Sequence, residues 1–91
     1  MSEPPRYGVG YESAAQKELA KLDKRIARRI ATAVSALGAN PRPAGCRRLV
    51  GYDNLWRIRV GDYRVIYTIM DTELIVLVLR IAHRSEVYRR A

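Results

Sequence analysis

Three arginines spaced for one face of a β-hairpin define the chemistry this sequence could carry. From Leu55 to Tyr67 the chain reads LWRIRVGDYRVIY. Two strands joined by the turn Gly61-Asp62 set Val60 against Tyr63, Arg59 against Arg64, Ile58 against Val65 and Trp56 against Tyr67. Side chains alternate between faces, so Arg57, Arg59 and Arg64 share one side. Trp56, Ile58, Val60, Tyr63, Val65 and Tyr67 share the other. Like charges directly opposite on a sheet cost about 0.2–1 kcal/mol, so this face asks for an anion. Downstream, His83-Arg84-Ser-Glu-Val-Tyr88 adds an imidazole, a further arginine and an aromatic ring. Together these groups could cleave RNA without a metal. The RNA brings its own nucleophile, the 2′-OH, and the protein orients the phosphate, stabilises added charge and moves protons. His83 is then a proton donor or, more plainly, a surface or capping histidine. Tyr88 either stacks on a base or anchors the tail.

Composition agrees with a polyanionic partner. The 91 residues carry 17 Lys+Arg against 9 Asp+Glu, a net charge of +8, and nucleic acid is the first candidate for such an excess. Lys17, Lys21 and Lys24 all lie in the first helical region, and every Lys or Arg after Asn40 is arginine. The planar guanidinium fork suits phosphate, so the bias points to the second half of the chain. Cys46 stands alone, which rules out an intramolecular disulfide and a cysteine metal cluster. One His, one Cys and carboxylates set mostly in turns (Asp53, Asp62, Asp71, Glu73) suggest no metal site, and no cofactor is expected. No apolar leader or membrane-length segment is read, so the expected setting is the cytoplasm.

The elements that must hold these groups are legible in outline. Residues 1–6 read as a loose tail and Tyr7–Tyr11 as a short strand. Ser13-Ala-Ala-Gln16 fits a capping box, placing a helix start near Ser13. Leu19, Leu22, Ile26, Ile30, Val34 and Leu37 then recur on a helical period. Asp23 could break this stretch into a hairpin by capping a second helix. The basic residues beside the stripe read as solvated surface. Gly38 suits the position after a helix end, and Pro41 and Pro43 close the segment. Arg47–Val50 is expected as a short strand, and Glu73–Ile81, apolar on both faces, as a covered one. The tail from His83 could form a short helix. The expected fold is α+β: β-α-α-β-β-β, an antiparallel-rich sheet of four or five strands in one domain spanning 1–91, with a helical hairpin on one face. The arginines lie on the other.

In this order, Gly61-Asp-Tyr-Arg-Val-Ile-Tyr67 and His83-Arg-Ser-Glu-Val-Tyr88 resemble the RelE/ParE superfamily of bacterial toxins, RelE-like branch. The resemblance runs over nearly the whole chain. It implies the toxin of a type II toxin–antitoxin system, an endoribonuclease that cuts messenger RNA on the ribosome. Its implied partners are the 70S ribosome with its mRNA and an acidic, RelB-like antitoxin. Carried over residue by residue, Arg64 is the phosphate-stabilising arginine, Tyr88 the base-orienting tyrosine, and His83 with Arg84 the proton-donor region. Arg57 and Arg59 stand where the family has lysines. An arginine keeps its proton, so they are assigned to charge stabilisation and the general base is left open, Glu86 being a candidate. Arg47, Arg48, Arg80 and Arg89 are expected to contact RNA. A ParE-like inhibitor of DNA gyrase, or a non-catalytic RNA- or ribosome-binding module, is the alternative.

Overall fold

The protein is described here by a computed structural model covering residues 6–89, with side chains described through Glu86. The expected loose tail, apart from Arg6, lies outside the described residues. Five strands form one sheet in the order β1-β5-β4-β3-β2. They are β1 (Gly8–Tyr11), β2 (Arg47–Arg48), β3 (Leu55–Val60), β4 (Tyr63–Met70) and β5 (Ile75–His83). Only the β1–β5 pairing is parallel. Helices α1 (Ser13–Ala20) and α2 (Lys24–Ala36) sit between β1 and β2 in the chain, and a short α3 (Arg84–Arg89) follows β5. Among the described residues no helix is long and apolar enough to cross a membrane.

The β3–β4 hairpin has the register that alternation demands, with Val60 opposite Tyr63, Arg59 opposite Arg64 and Trp56 opposite Tyr67. Gly61, with φ of 60°, takes the first central turn position, where an L side chain would be strained. One face of this hairpin supplies Ile58, Val65, Tyr67 and Ile69 to the core, joined by Val76, Val78 and Ile81 of β5. Ala15 of α1, Ile30 and Val34 of α2, and Leu37 close over them. Each fully buried Val, Leu or Ile contributes about 1.5–3 kcal/mol, which makes this face the source of most of the fold's stability. Tyr67 is wholly buried and its hydroxyl donates to the Pro41 carbonyl at 2.7 Å, fixing the proline loop to the sheet.

Three details depart from the sequence reading. Asp23 does cap α2, its carboxylate accepting from the Arg25 N–H at 2.8 Å, but α1 has no side-chain cap. Glu12 rather than Ser13 is its N-cap residue, and Gln16 donates to the Tyr11 carbonyl instead of closing a capping box. Gly38 is needed for a close approach, not for a left-handed helix end. A Cβ there would lie 3.0 Å from the Tyr7 carbonyl oxygen, whose own N–H donates to the Gly38 carbonyl at 2.8 Å. Finally, β5 runs from Ile75 to His83 rather than Glu73 to Ile81. Glu73 and Leu74 belong to the turn, Leu74 having φ of 57°.

Candidate functional site

Register places Arg47, Arg57, Arg59, Arg64 and Arg80 on the face away from the helices. Arg59 stands opposite Arg64 and next to it on the rung is Ala82 of β5. Two residues back along β3, Arg57 stands opposite Arg47 of β2. Neighbouring strands lie about 4.8 Å apart, so the guanidinium groups are held within reach of one another and of one phosphodiester. Their exposure differs. Arg47 and Arg59 are exposed, Arg57 is half-buried and Arg64 is only 5% exposed. Arg42 pairs with Asp71, Arg80 with Glu18, and Arg84 makes a long contact with Asp62 at 3.9 Å, while among the described residues Arg47 and Arg59 belong to no ion pair. The arginine face thus concentrates positive charge around a guanidinium fixed by burial.

His83 occupies the last rung of the same end of the sheet, opposite Tyr63 and one rung beyond the Arg64–Ala82 pair. Strand parity gives it the face of Tyr63, whose ring it meets edge-on at 5.3 Å between centroids. The chain turns into α3 at the next residue. Its Nδ1 lies 2.9 Å from the Ser85 hydroxyl and accepts from the Ser85 N–H at 3.2 Å, the geometry of a helix cap. In the neutral ring this puts the proton on Nε2. The bland reading of His83 as a capping residue is therefore realised. Arg84 is 60% exposed and its N–H donates to the Asp62 carbonyl at 2.8 Å, tying α3 to the hairpin turn. Glu86 is exposed in the first turn of α3. The side chains of Tyr88 and Arg89 lie outside those described, so the structure gives only their place in α3.

Two further expected RNA contacts have different settings, Arg80 lying across Ile66 from Arg57 on the arginine face. Arg48 pairs in register with Trp56, not with the arginines. Arg80 is held by Glu18 of α1, through Nε at 2.8 Å and a second nitrogen at 2.7 Å. That carboxylate raises its pKa further, chiefly by hydrogen bonding. Sequence reasoning missed Glu18, which is 62 residues away, and the Tyr63 and Ser85 contacts of His83. Among the described residues no group of three or more His, Cys, Asp and Glu is placed to hold a metal ion.

A family model described as the ParE toxin of the type II toxin–antitoxin system parDE matches residues 9–88. Toxin RelG of Mycobacterium tuberculosis is 35% identical over 88 residues, covering 92% of this chain and 98% of the relative. The chain belongs to the RelE/ParE superfamily of type II toxins, on its RelE-like branch. Toxin RelE of the same organism is 34% identical over 90 residues, with 98% and 93% covered. The archaeal RelE–RelB complex of Pyrococcus horikoshii superposes with a TM-score of 0.77 at 30% identity, covering 87% of this chain and 96% of the other. Within the superfamily fold, Arg59, Arg64 and the His83–α3 corner share the hairpin-turn end of the sheet, with the His83 side chain on the face opposite to the arginines.

Proposed function

We propose that this type II toxin is a ribosome-dependent endoribonuclease that stops translation by cutting mRNA. The observation that carries the reading is the face of Arg57, Arg59 and Arg64, with Arg64 almost fully buried at its centre. A burial-fixed guanidinium needs no reorganisation when charge develops on a phosphate, which is the form of electrostatic catalysis that contributes most to a rate. In the step proposed, the RNA 2′-hydroxyl gives its proton to a base, for which Glu86 is the candidate, as its oxygen bonds to the adjacent phosphorus and the 5′-oxygen leaves. The arginines hold the non-bridging oxygens. His83 acts in its doubly protonated form, Nδ1–H turning to the Ser85 hydroxyl while Nε2 gives its proton to the leaving oxygen, and the products are a 2′,3′-cyclic phosphate and a 5′-hydroxyl. Arg84 and Tyr88, both on α3, complete the site, the tyrosine orienting a base. The ribosome is part of the proposal because the chain has RelE and RelG toxins as relatives, and it sets the activity in the cytoplasm.

An antitoxin is the proposed resting partner, supported by the RelB-bound structure that this fold matches. With a chain of net charge +8, an acidic RelB-like protein is the complementary choice. Induction of the gene should arrest growth with cuts inside translated messages, and Arg64→Ala should lower cleavage about 10²–10³-fold while leaving the fold intact. Arrest with uncut messages would exclude this reading. The match to a ParE-named family model favours one second reading, a DNA gyrase inhibitor. Gyrase-linked DNA breaks on induction would be its signature.

A further inference from the structure

The arginine face reaches the free edge of the sheet at Arg47, opposite Arg57, and the chain that follows has no use in the core. A loop leaves β2, closed at its base by the Leu49 N–H donating to the Leu55 carbonyl at 2.8 Å. Gly51 and Asn54, with φ of 86° and 55°, bend it sharply. At its tip Val50 is 96% and Tyr52 61% exposed. Arg48, Val50, Tyr52 and Asp53 line an open hollow of about 500 Å³. Among the described residues the Tyr52 hydroxyl makes no hydrogen bond and its ring no aromatic contact. A single exposed apolar side chain is ordinary. Here an exposed aromatic ring stands between two exposed arginines and a lone carboxylate, at the end of a cationic row. That is the composition of a single-strand binding surface, where arginines follow the backbone and aromatic rings stack on bases.

We propose that the β2–β3 loop is a nucleobase-binding site for single-stranded RNA. Tyr52 stacks on a base outside the cleaved step, Arg48, which lines the hollow, sits beside that base, and Arg47 holds the backbone between it and the phosphate on the arginine face. Asp53 is placed to accept from an exocyclic amine, which would favour adenine, cytosine or guanine over uracil in the hollow. The site rests on the RNA reading of the arginine face and supplies it with a source of sequence preference. A protein partner is the competing occupant. The positive charge around the tip favours RNA, since Arg47 and Arg48 flank it in sequence and Asp53 is the only acid lining the hollow.

The test is fluorescence anisotropy with an unstructured ten-nucleotide labelled RNA, without ribosomes, over a range of salt. Tyr52→Ala should weaken binding roughly 5- to 140-fold, the range for loss of one base–aromatic stack. Tyr52→Phe, which keeps the stacking ring, should stay within about twofold of the parent. Arg47→Ala should reduce the salt dependence by about 0.7 of a log unit per log unit, one phosphate contact to a single strand. Tyr52→Ala binding like the parent, Tyr52→Phe as weak as Tyr52→Ala, or equal affinity for a duplex of the same sequence would each overturn the proposal, as would no binding by the parent. Cleavage of ribosome-bound message separates the two readings. Tyr52-dependent binding without any cleavage would remove the endonuclease and leave this site. Cleavage by the parent with RNA binding indifferent to Tyr52 would do the reverse.

Discussion

Arg59 and Arg64 face each other across a rung that neutral side chains would fill at lower cost. An isolated like-charge pair of this kind destabilises a sheet by about 0.2–1 kcal/mol, and the partial burial of the site works in the same direction. Arg59→Thr should therefore raise the melting temperature by roughly 1–8 °C. Added phosphate should narrow the gap, because it stabilises the parent more than the variant. Thermal melts with and without phosphate decide this, and a lower melting temperature for the variant would contradict it. His83 divides its two nitrogens between two tasks. Nδ1 caps α3, and in the proposed step the doubly protonated ring turns Nδ1–H to the Ser85 hydroxyl and gives the leaving oxygen its Nε2 proton. Asparagine is a good cap but no acid. His83→Asn should keep the stability of the parent and lose about 10²–10⁴-fold in cleavage, whereas His83→Ala should lose cleavage and about 1 kcal/mol of stability as well. Full cleavage by His83→Asn would reduce the residue to its cap.

The elements around these residues show which signals were local enough to read. The hairpin needed only period-two alternation and a Gly-Asp turn, both contained in thirteen residues, and its register follows. Asp23 two residues before Arg25 is equally local. The shape of β5 is not. Arg80 lies opposite Ile66 but Val78 lies opposite Tyr67, so Leu79 is an extra residue in a bulge. That bulge lets Val76, Val78 and Ile81 all face the helices although their spacing is not even. It occurs just past the end of β1, whose pairing stops at Val78. Beyond that point Glu18 of α1 replaces the missing strand, accepting from the Ile81 N–H at 2.8 Å and holding Arg80. Nothing within a window of sequence announces an acid on one element serving an edge 63 residues away. Glu18→Ala leaves a part-buried N–H and a guanidinium without their acceptor and should cost about 1–3 kcal/mol. Glu18→Gln keeps an acceptor for Ile81 and should cost less. Urea unfolding of both variants tests the order.

Across the whole molecule the two ends of the sheet have different tasks. The hairpin-turn end carries Arg59, Arg64, His83 and the start of α3. The opposite end is tied by a polar network that joins segments distant in the chain. Tyr7 donates to Asp71 at 2.6 Å and Arg42 reaches both carboxylate oxygens, at 2.9 and 3.4 Å. The Arg42 guanidinium also lies 5.0 Å from the Trp56 ring centroid. The indole donates to Asn54, which in turn bonds the Ile69 carbonyl. The strand before α1, the proline loop and the β4–β5 turn are thereby pinned away from the arginine face. The network titrates in the direction its hydrogen bonds dictate. Arg42 first and Tyr7 second hold the Asp71 carboxyl below its ordinary value of 3.8. A depressed carboxylate contributes stability that is present above that value and lost as pH falls through the lower folded-state value. Asp71 in turn pushes the Tyr7 phenol above 10.0, chiefly by the hydrogen bond it accepts, so that contribution is present below 10.0 and fades as pH rises through the higher folded value. The difference in melting temperature between the parent and Asp71→Asn should be steady near neutrality and shrink as pH is lowered through and below 3.8. Because the Asp71 network lies away from the end that carries Arg59, Arg64 and His83, Asp71→Asn should cleave ribosome-bound RNA like the parent at pH 7. A variant equally stable but impaired on RNA would show that the two ends are coupled through the sheet.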